Sequence, residues 1–288
     1  MYSGGTGTAL DPYLVANATD LKDIESNMSA YFKQTQDITL GTFEPIGWNG
    51  GSAAATLFTG NYNGDNHYIK DGTISYPSIE KIGIFRSSTG THSNIKLSNI
   101  QVVGTYCVGV LVGYSHGAPS FKMENVHTDS SCVVTGHGNY IGGLVGYYYS
   151  SQINASFLSI TACSNKANVT GLALVGGICG CFNGTKLENC YNTGEIYSMN
   201  EKAGGIIGDF LGGWVNYCYN SGNISTLSYG GGIAGRHAGH LLNSCYALND
   251  TITRTSGTAT TFGRISGNST SSNVNNNYAL DTMQFIAL

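Results

Sequence analysis

From about residue 100 the chain alternates short apolar runs with glycine and polar turn residues, and one phrase recurs. Its first half is a Gly-Gly or Val-Gly pair, two apolar residues and a further glycine: YCVGVLVGYSHG, NYIGGLVGYYYS, LALVGGICGCFN, EKAGGIIGDFLG and SYGGGIAGRHAG. Its second half is built on Asn-Cys-Tyr and a turn: KMENVHTDSS, SITACSNKAN, KLENCYNTGEI, VNYCYNSGNI and LLNSCYALND. With Gly109, Gly143, Gly177, Gly205 and Gly232 as markers, subtraction of positions gives repeats of 34, 34, 28 and 27 residues, and a fainter sixth copy covers TTFGRISGNS and VNNNYAL. Each phrase holds two or three alternating segments of about 4–6 residues bounded by Gly, Asn, Ser and Thr, which predicts strands and turns. A helical solenoid is excluded, since each glycine inside a helix costs about 1 kcal/mol relative to Ala. A unit this short cannot bury its apolar face alone, so copies must stack at the strand spacing of about 4.8 Å. The expected fold is all-β, a right-handed parallel β-helix with equivalent residues in ladders.

The first hundred residues differ. In NATDLKDIESNMSAYF, Leu21, Ile24 and Met28 recur at i, i+3 and i+7, which predicts a short helix with Asn17 or Thr19 as its cap. The segments DITL, FEPIGW, TLFTGNYNG, HYIKDGTIS and KIGIF follow as short strands. Solenoid ends must be covered, so residues 1–100 are expected to form an N-terminal cap with lead-in strands, and residues 101–288 the repeats, as one continuous domain.

Composition narrows the function classes. The apolar fraction of 41% and 11% aromatic residues against 10% charged exclude a disordered chain. Thirteen basic residues are scattered in a chain of net charge −4, so no basic stripe exists and no nucleic-acid partner is expected. No apolar run approaches the ~20 residues of a membrane span, so no membrane insertion is expected. The start, Met-Tyr-Ser-Gly-Gly-Thr, is neither a signal peptide nor a lipidation signal.

Cys163, Cys190, Cys218 and Cys245 occupy one place in successive phrases. Tight C-x2-C pairs are lacking, so these are expected as a structural ladder of buried thiols, with no metal and no cofactor. Glu124, Asp129, Glu188, Glu195, Glu201, Asp209 and Asp250 do not repeat on adjacent coils, so the paired carboxylates of polysaccharide-cleaving β-helices are not apparent. In Arg236-His237-Ala238-Gly239-His240 the two histidines lack a third metal ligand and an orienting carboxylate. The expectation is a chain without enzymatic activity. Eight N-x-[ST] sequons, at Asn17, Asn27, Asn154, Asn168, Asn183, Asn223, Asn249 and Asn268, follow from the Asn, Ser and Thr content alone.

The phrases YIGGLVGYYYSSQI and KAGGIIGDFLGGWVNYCYNSGNI resemble the GLUG motif of bacterial surface proteins, and the opening GTGTALDPYLVANATDLKDI resembles the segment preceding such repeats in adhesin-like proteins. The resemblance covers nearly the whole chain. It implies a parallel β-helix at an extracellular or cell-surface location, as in adhesins and the non-catalytic parts of immunoglobulin A peptidases, with no catalytic residues to carry over. Related coils in phage receptor-binding proteins make a phage particle the other setting, and the abrupt end at Tyr278–Leu288 suggests a fragment.

What varies between copies points to a ligand edge. After Gly113, Gly146, Gly180, Gly208 and Gly235 the second residues form a column of Ser115, Tyr148, Phe182, Phe210 and His237, and the first residues one of Tyr114, Tyr147, Cys181, Asp209 and Arg236. Tyr147, Tyr148, Phe182, Phe210, Trp214, Arg236 and His237 are the candidate ligand-binding residues, suited to a glycan or a surface protein. The expected function is adhesion or receptor recognition. The alternatives are a fibre or phage-tail subunit associating end to end or side by side, and a polysaccharide-degrading enzyme.

Overall fold

The structure is a computed structural model that describes residues 2–51, 54–117, 120–150 and 158–288; the Asn154 sequon lies outside the described residues. Strands make up 54% of the chain and helix 4%, and the strands form a parallel β-solenoid of about 8 turns. Two interior ladders show why the repeat folds this way. One stacks Phe32, Tyr62, His92, Met123, Ile160, Leu187, Val215 and Leu242. The other stacks Ile74, Val102, Val134, Val169, Ile196, Ile224 and Ile252. All of these side chains are buried. Each apolar row that a single turn would leave half in water is thus covered above and below, and one core runs from Val15 to Met283.

The stacking begins well before residue 100. Tyr13–Val15 pairs with Tyr31–Gln34, which pairs with Asn61–Asn63, and the same rows continue into the long strand Thr91–Gly104. The helix is shorter than the i, i+3, i+7 stripe suggests: Ala18–Asp23 is α-helical and Ile24–Ser26 a 3-10 turn. Asn17 is the cap, its side chain accepting a 2.9 Å bond from the Asp20 amide. Leu21 and Ile24 are fully buried, and the helix packs against Tyr13–Val15 and Ile38–Thr42 at the N-terminal end of the core.

Two polar rows also lie inside. Asn165, Asn192 and Asn220 stack in register, and each Nδ2 donates both to the carbonyl two residues on and to the next amide: 2.8 Å from Asn165 to Asn192 and 2.8 Å from Asn192 to Asn220. Thr128 Oγ donates to Asn165 Oδ1 at 2.7 Å to start the row, and Asn249 ends it. The buried amides of Asn165, Asn192 and Asn220 are tolerable because the Nδ2 protons and the Oδ1 of each have hydrogen-bond partners. Cys163, Cys190, Cys218 and Cys245 are buried free thiols, each donating to the carbonyl two residues before it at 3.1–3.4 Å. Burial pushes the Cys163 and Cys218 thiols well above their ordinary range, while hydrogen bonds from neighbouring thiols outweigh burial and lower Cys190 and Cys245.

Candidate functional site

The Asn-Cys-Tyr phrase sets the outer surface. With a period of two along a strand, Cys190 and Asn192 point in and Tyr191 between them points out; Cys218, Tyr219 and Asn220 repeat the pattern. In register, Tyr68, Lys96, His127, Ser164, Tyr191, Tyr219, Tyr246 and Tyr278 therefore make one column, outward at every rung except Ser164, which is fully buried. Tyr219, Tyr246 and Tyr278 are 37%, 46% and 58% exposed. Rings stack along the axis, Tyr191 on Tyr219 at 4.8 Å and 2°, and Tyr246 on Tyr278 at 5.3 Å and 18°. Stacked rings turn their faces to each other and offer edges and hydroxyls to solvent. On its other side Tyr191 is followed by Ser164 of the preceding rung, which carries no ring.

That gap is an open cleft of about 280 Å³ lined by Tyr68, Lys96, His127, Asp129, Ser164, Lys166 and Tyr191, among others. His127 is its fixed floor. Asn125 donates its amide protons to Asn94 and Asn66, at 2.8 and 3.2 Å, so its Oδ1 is left to accept from His127 Nε2 at 2.8 Å; His127 Nδ1 then accepts from Ser164 Oγ at 2.8 Å. Burial lowers the His127 imidazole's affinity for a proton, so this tautomer is the neutral ring. Lys96 lies over the Tyr68 ring, 5.4 Å from its centroid. The column escaped the sequence expectation although its signal was present, as the residue next to each inward Cys.

A second outer cluster surrounds Tyr147. Tyr114 stacks on it at 5.3 Å and 11°, Tyr140 meets it edge-on at 5.0 Å, and Tyr149 stacks on His116 at 5.0 Å. Lys81 lies over Tyr114 at 4.8 Å. Further along this row Arg236 holds Asp209 through two bonds of 2.7 and 2.9 Å. Burial pushes the Asp209 carboxyl up against the pull of Arg236, but the bidentate geometry decides for the ionised pair. Trp214 is half-buried on another face, 5.8 Å from His240.

The expected ligand edge is corrected here. Tyr148, Phe182, Phe210 and His237 are all 0% exposed, as is Ser115, so this column fills the core and touches nothing outside. Tyr148, Phe182 and Phe210 pack ring on ring at 5.4 and 6.1 Å, and Phe210 stacks on His237 at 5.0 Å. The physical reason lies in the preceding glycines. A five-stranded second sheet lies directly on Gly180, Gly208 and Gly235, and the Cys107–Val108 backbone, bridged to that sheet at Ile141, lies on Gly146; a Cβ on Gly146 would stand 2.4 Å from the Cys107 carbonyl carbon, and one on Gly208 2.5 Å from that of Leu174. The close backbone approach needs Gly and resets the in–out phase, turning the second residue inward. Of the candidate residues, Tyr147, Trp214 and Arg236 keep solvent access, on two different faces.

Ser88 Oγ and His92 Nε2 are 2.7 Å apart, but both are fully buried among Phe58, Phe85 and Phe121, so the pair is a packing feature.

No model of a known protein family matches the chain. It is 30% identical over 177 residues to Halomucin of Haloquadratum walsbyi, a match covering 57% of this chain and 2% of that protein. It is 29% identical over 144 residues to a protein of Evansella cellulosilytica named "Putative Gly-rich membrane protein", over 45% of this chain and 16% of that one. The chain thus spans a small part of the length of either relative. The fold matches a crystal structure of a "putative immunoglobulin A1 protease" from Bacteroides ovatus with a TM-score of 0.68 and 20% identity, over 99% of this chain and 80% of that one. This likeness corrects a second expectation. Scattered carboxylates had argued against enzymatic activity, yet the solved chain that shares this architecture bears a protease's name, so the exclusion does not stand. The likeness to the solved structure shows the parallel β-solenoid fold along nearly all of this chain.

Proposed function

We propose that this chain is a surface-displayed recognition module that holds a saccharide along its outward tyrosine column, entering at the cleft beside Tyr191. The observation that carries the reading is the column itself: aromatic side chains, exposed against the pattern of a packed core, are repeated rung by rung on a rigid parallel sheet. Strand spacing of about 4.8 Å presents phenol hydroxyls at regular intervals, close to the rise of one sugar in an extended chain. The face of Tyr191 turned away from Tyr219 suits the C–H face of a pyranose, while the tyrosine hydroxyls supply hydrogen bonds. A surface setting is supported by the relative whose name describes a membrane protein; no described helix is long and apolar enough to cross a membrane.

Screening the chain against immobilised polysaccharides tests this. Tyr191→Ala is expected to weaken binding by about tenfold, the worth of one aromatic contact. Unchanged binding by Tyr191→Ala and Tyr219→Ala would overturn the reading. Side-by-side association of two columns is the competing use of the same surface. It predicts that wild type, but not Tyr219→Ala, sediments as a dimer without saccharide.

A further inference from the structure

The lysines of the chain divide unequally. Seven of the nine have a carboxylate within 4.0 Å: Lys22 pairs with Glu25 and Glu44, Lys33 with Asp65, Lys70 with Asp37, Lys81 with Glu80, Lys122 with Glu124, Lys186 with Glu188 and Lys202 with Glu201. Lys96 and Lys166 have no such partner among the described residues, and both line the cleft beside Tyr191. In a chain with more acidic than basic residues, two unpaired ammonium groups in one cleft are not what scattered surface charge produces.

The carboxylate that could neutralise them is committed elsewhere. Asp129 lines the same cleft, but its Oδ1 accepts from the Ser131 amide at 3.0 Å and from Ser131 Oγ. Burial works to raise this carboxyl, but hydrogen bonds from Ser131, Ser98 and the Asn99 amide outweigh it and hold the group below its ordinary range, as an anion. His127 is neutral. Two lysines and one aspartate leave a single net positive charge on the cleft, beside the face of Tyr191 turned away from Tyr219 and a fixed Ser164–His127–Asn125 chain.

Resting on the saccharide reading of the same column, we infer that the ligand is an acidic glycan, whose ring packs on Tyr191 and whose anionic substituent lies between Lys96 and Lys166. Carboxylate and sulfate share the chemistry the lysines recognise. The lysines are exposed enough to be screened, so the charge contributes discrimination more than total affinity.

The test measures binding of the full chain to polygalacturonate, to dextran sulfate and to neutral dextran by affinity electrophoresis, at low and at physiological salt. Lys96→Gln/Lys166→Gln and Tyr191→Ala are compared with wild type, each checked for an unchanged melting temperature. Wild type is expected to prefer one or both acidic polymers over dextran by about tenfold, equal to the worth of one or two screened ion pairs. The double Lys variant should lose that preference while keeping its affinity for dextran, and Tyr191→Ala should weaken binding to all three. A preference for polygalacturonate identifies a carboxylated ligand, and one for dextran sulfate a sulfated ligand. Equal binding of all three polymers by wild type, or an acidic preference that survives in the double Lys variant, overturns the acidic inference and leaves the saccharide reading intact. Failure of every polymer to bind overturns the saccharide reading itself.

Discussion

Two aromatic columns run along this solenoid, and they differ in almost everything except their repetition. The inner one, Tyr148, Phe182 and Phe210 with His237, is fully buried, its three carbocyclic rings tilted against one another at 5.4 and 6.1 Å and Phe210 stacked on His237 at 5.0 Å. The outer one, Tyr191, Tyr219, Tyr246 and Tyr278, is open to solvent and stacks nearly parallel where it stacks. Ring identity follows the side. Phe dominates inside because a hydroxyl there needs a partner, and Tyr148 Oη has none among the described residues. Tyr alone occupies the outer rungs from 191 onward because its hydroxyl is hydrated there. Repetition of an aromatic is therefore not evidence of display; the side it faces decides, and that side depends on one residue of phase.

Phe210→Ala is expected to destabilise the chain by about 3–5 kcal/mol through the cavity it leaves, read as a large fall in urea midpoint. Any saccharide bound by wild type should still be bound by the folded fraction of this variant. A loss of less than about 1 kcal/mol would mean that the column is not packed as described.

A smaller effect separates an inner ring from an outer one by pH. His92 lies within the core, and burial pushes its imidazole down to about 3 from 6.5. Its folded-state affinity for a proton is thus below its unfolded one. The stability this provides is complete above pH 6.5 and is lost as pH falls toward 3, because the unfolded chain takes up a proton that the folded one refuses. The slope attributable to this one proton is at most about 1.4 kcal/mol per pH unit. Subtracting the stability–pH profile of His92→Met from that of wild type should isolate it, and coincident slopes from pH 6.5 to 4 would contradict the burial of a neutral ring.

The smallest expected change is on the outer column. Tyr246→Ala should alter stability by no more than about 0.5 kcal/mol, as for a surface substitution, and melting curves superimposable with wild type are the check. A loss near that of Phe210→Ala would show that the outer tyrosines support the fold and are not there for display.

Much of this architecture was legible along the chain. The spacing of the Asn-Cys-Tyr phrases marks successive rungs, and the glycine density excludes helices, so stacked parallel strands follow from the local pattern. The inward place of the cysteines also follows, and with it the outward place of the tyrosines, by alternation alone. The cleft was not legible. Tyr68, Lys96, His127, Lys166 and Tyr191 are spread over more than 120 positions, and only the register of successive rungs brings them together.

By itself the sequence determined the repeat, the stacking and the composition of each row, because these depend on periodicity and on burying apolar strands that one turn cannot cover. Tertiary structure decided which way the row after each glycine faces, since the second sheet's backbone lies on those glycines and resets the phase. It also decided which lysines find a carboxylate and which do not. Pairing is set by distance in space, and the seven pairs and the two unpaired lysines beside Tyr191 are a property of the stacked coils alone.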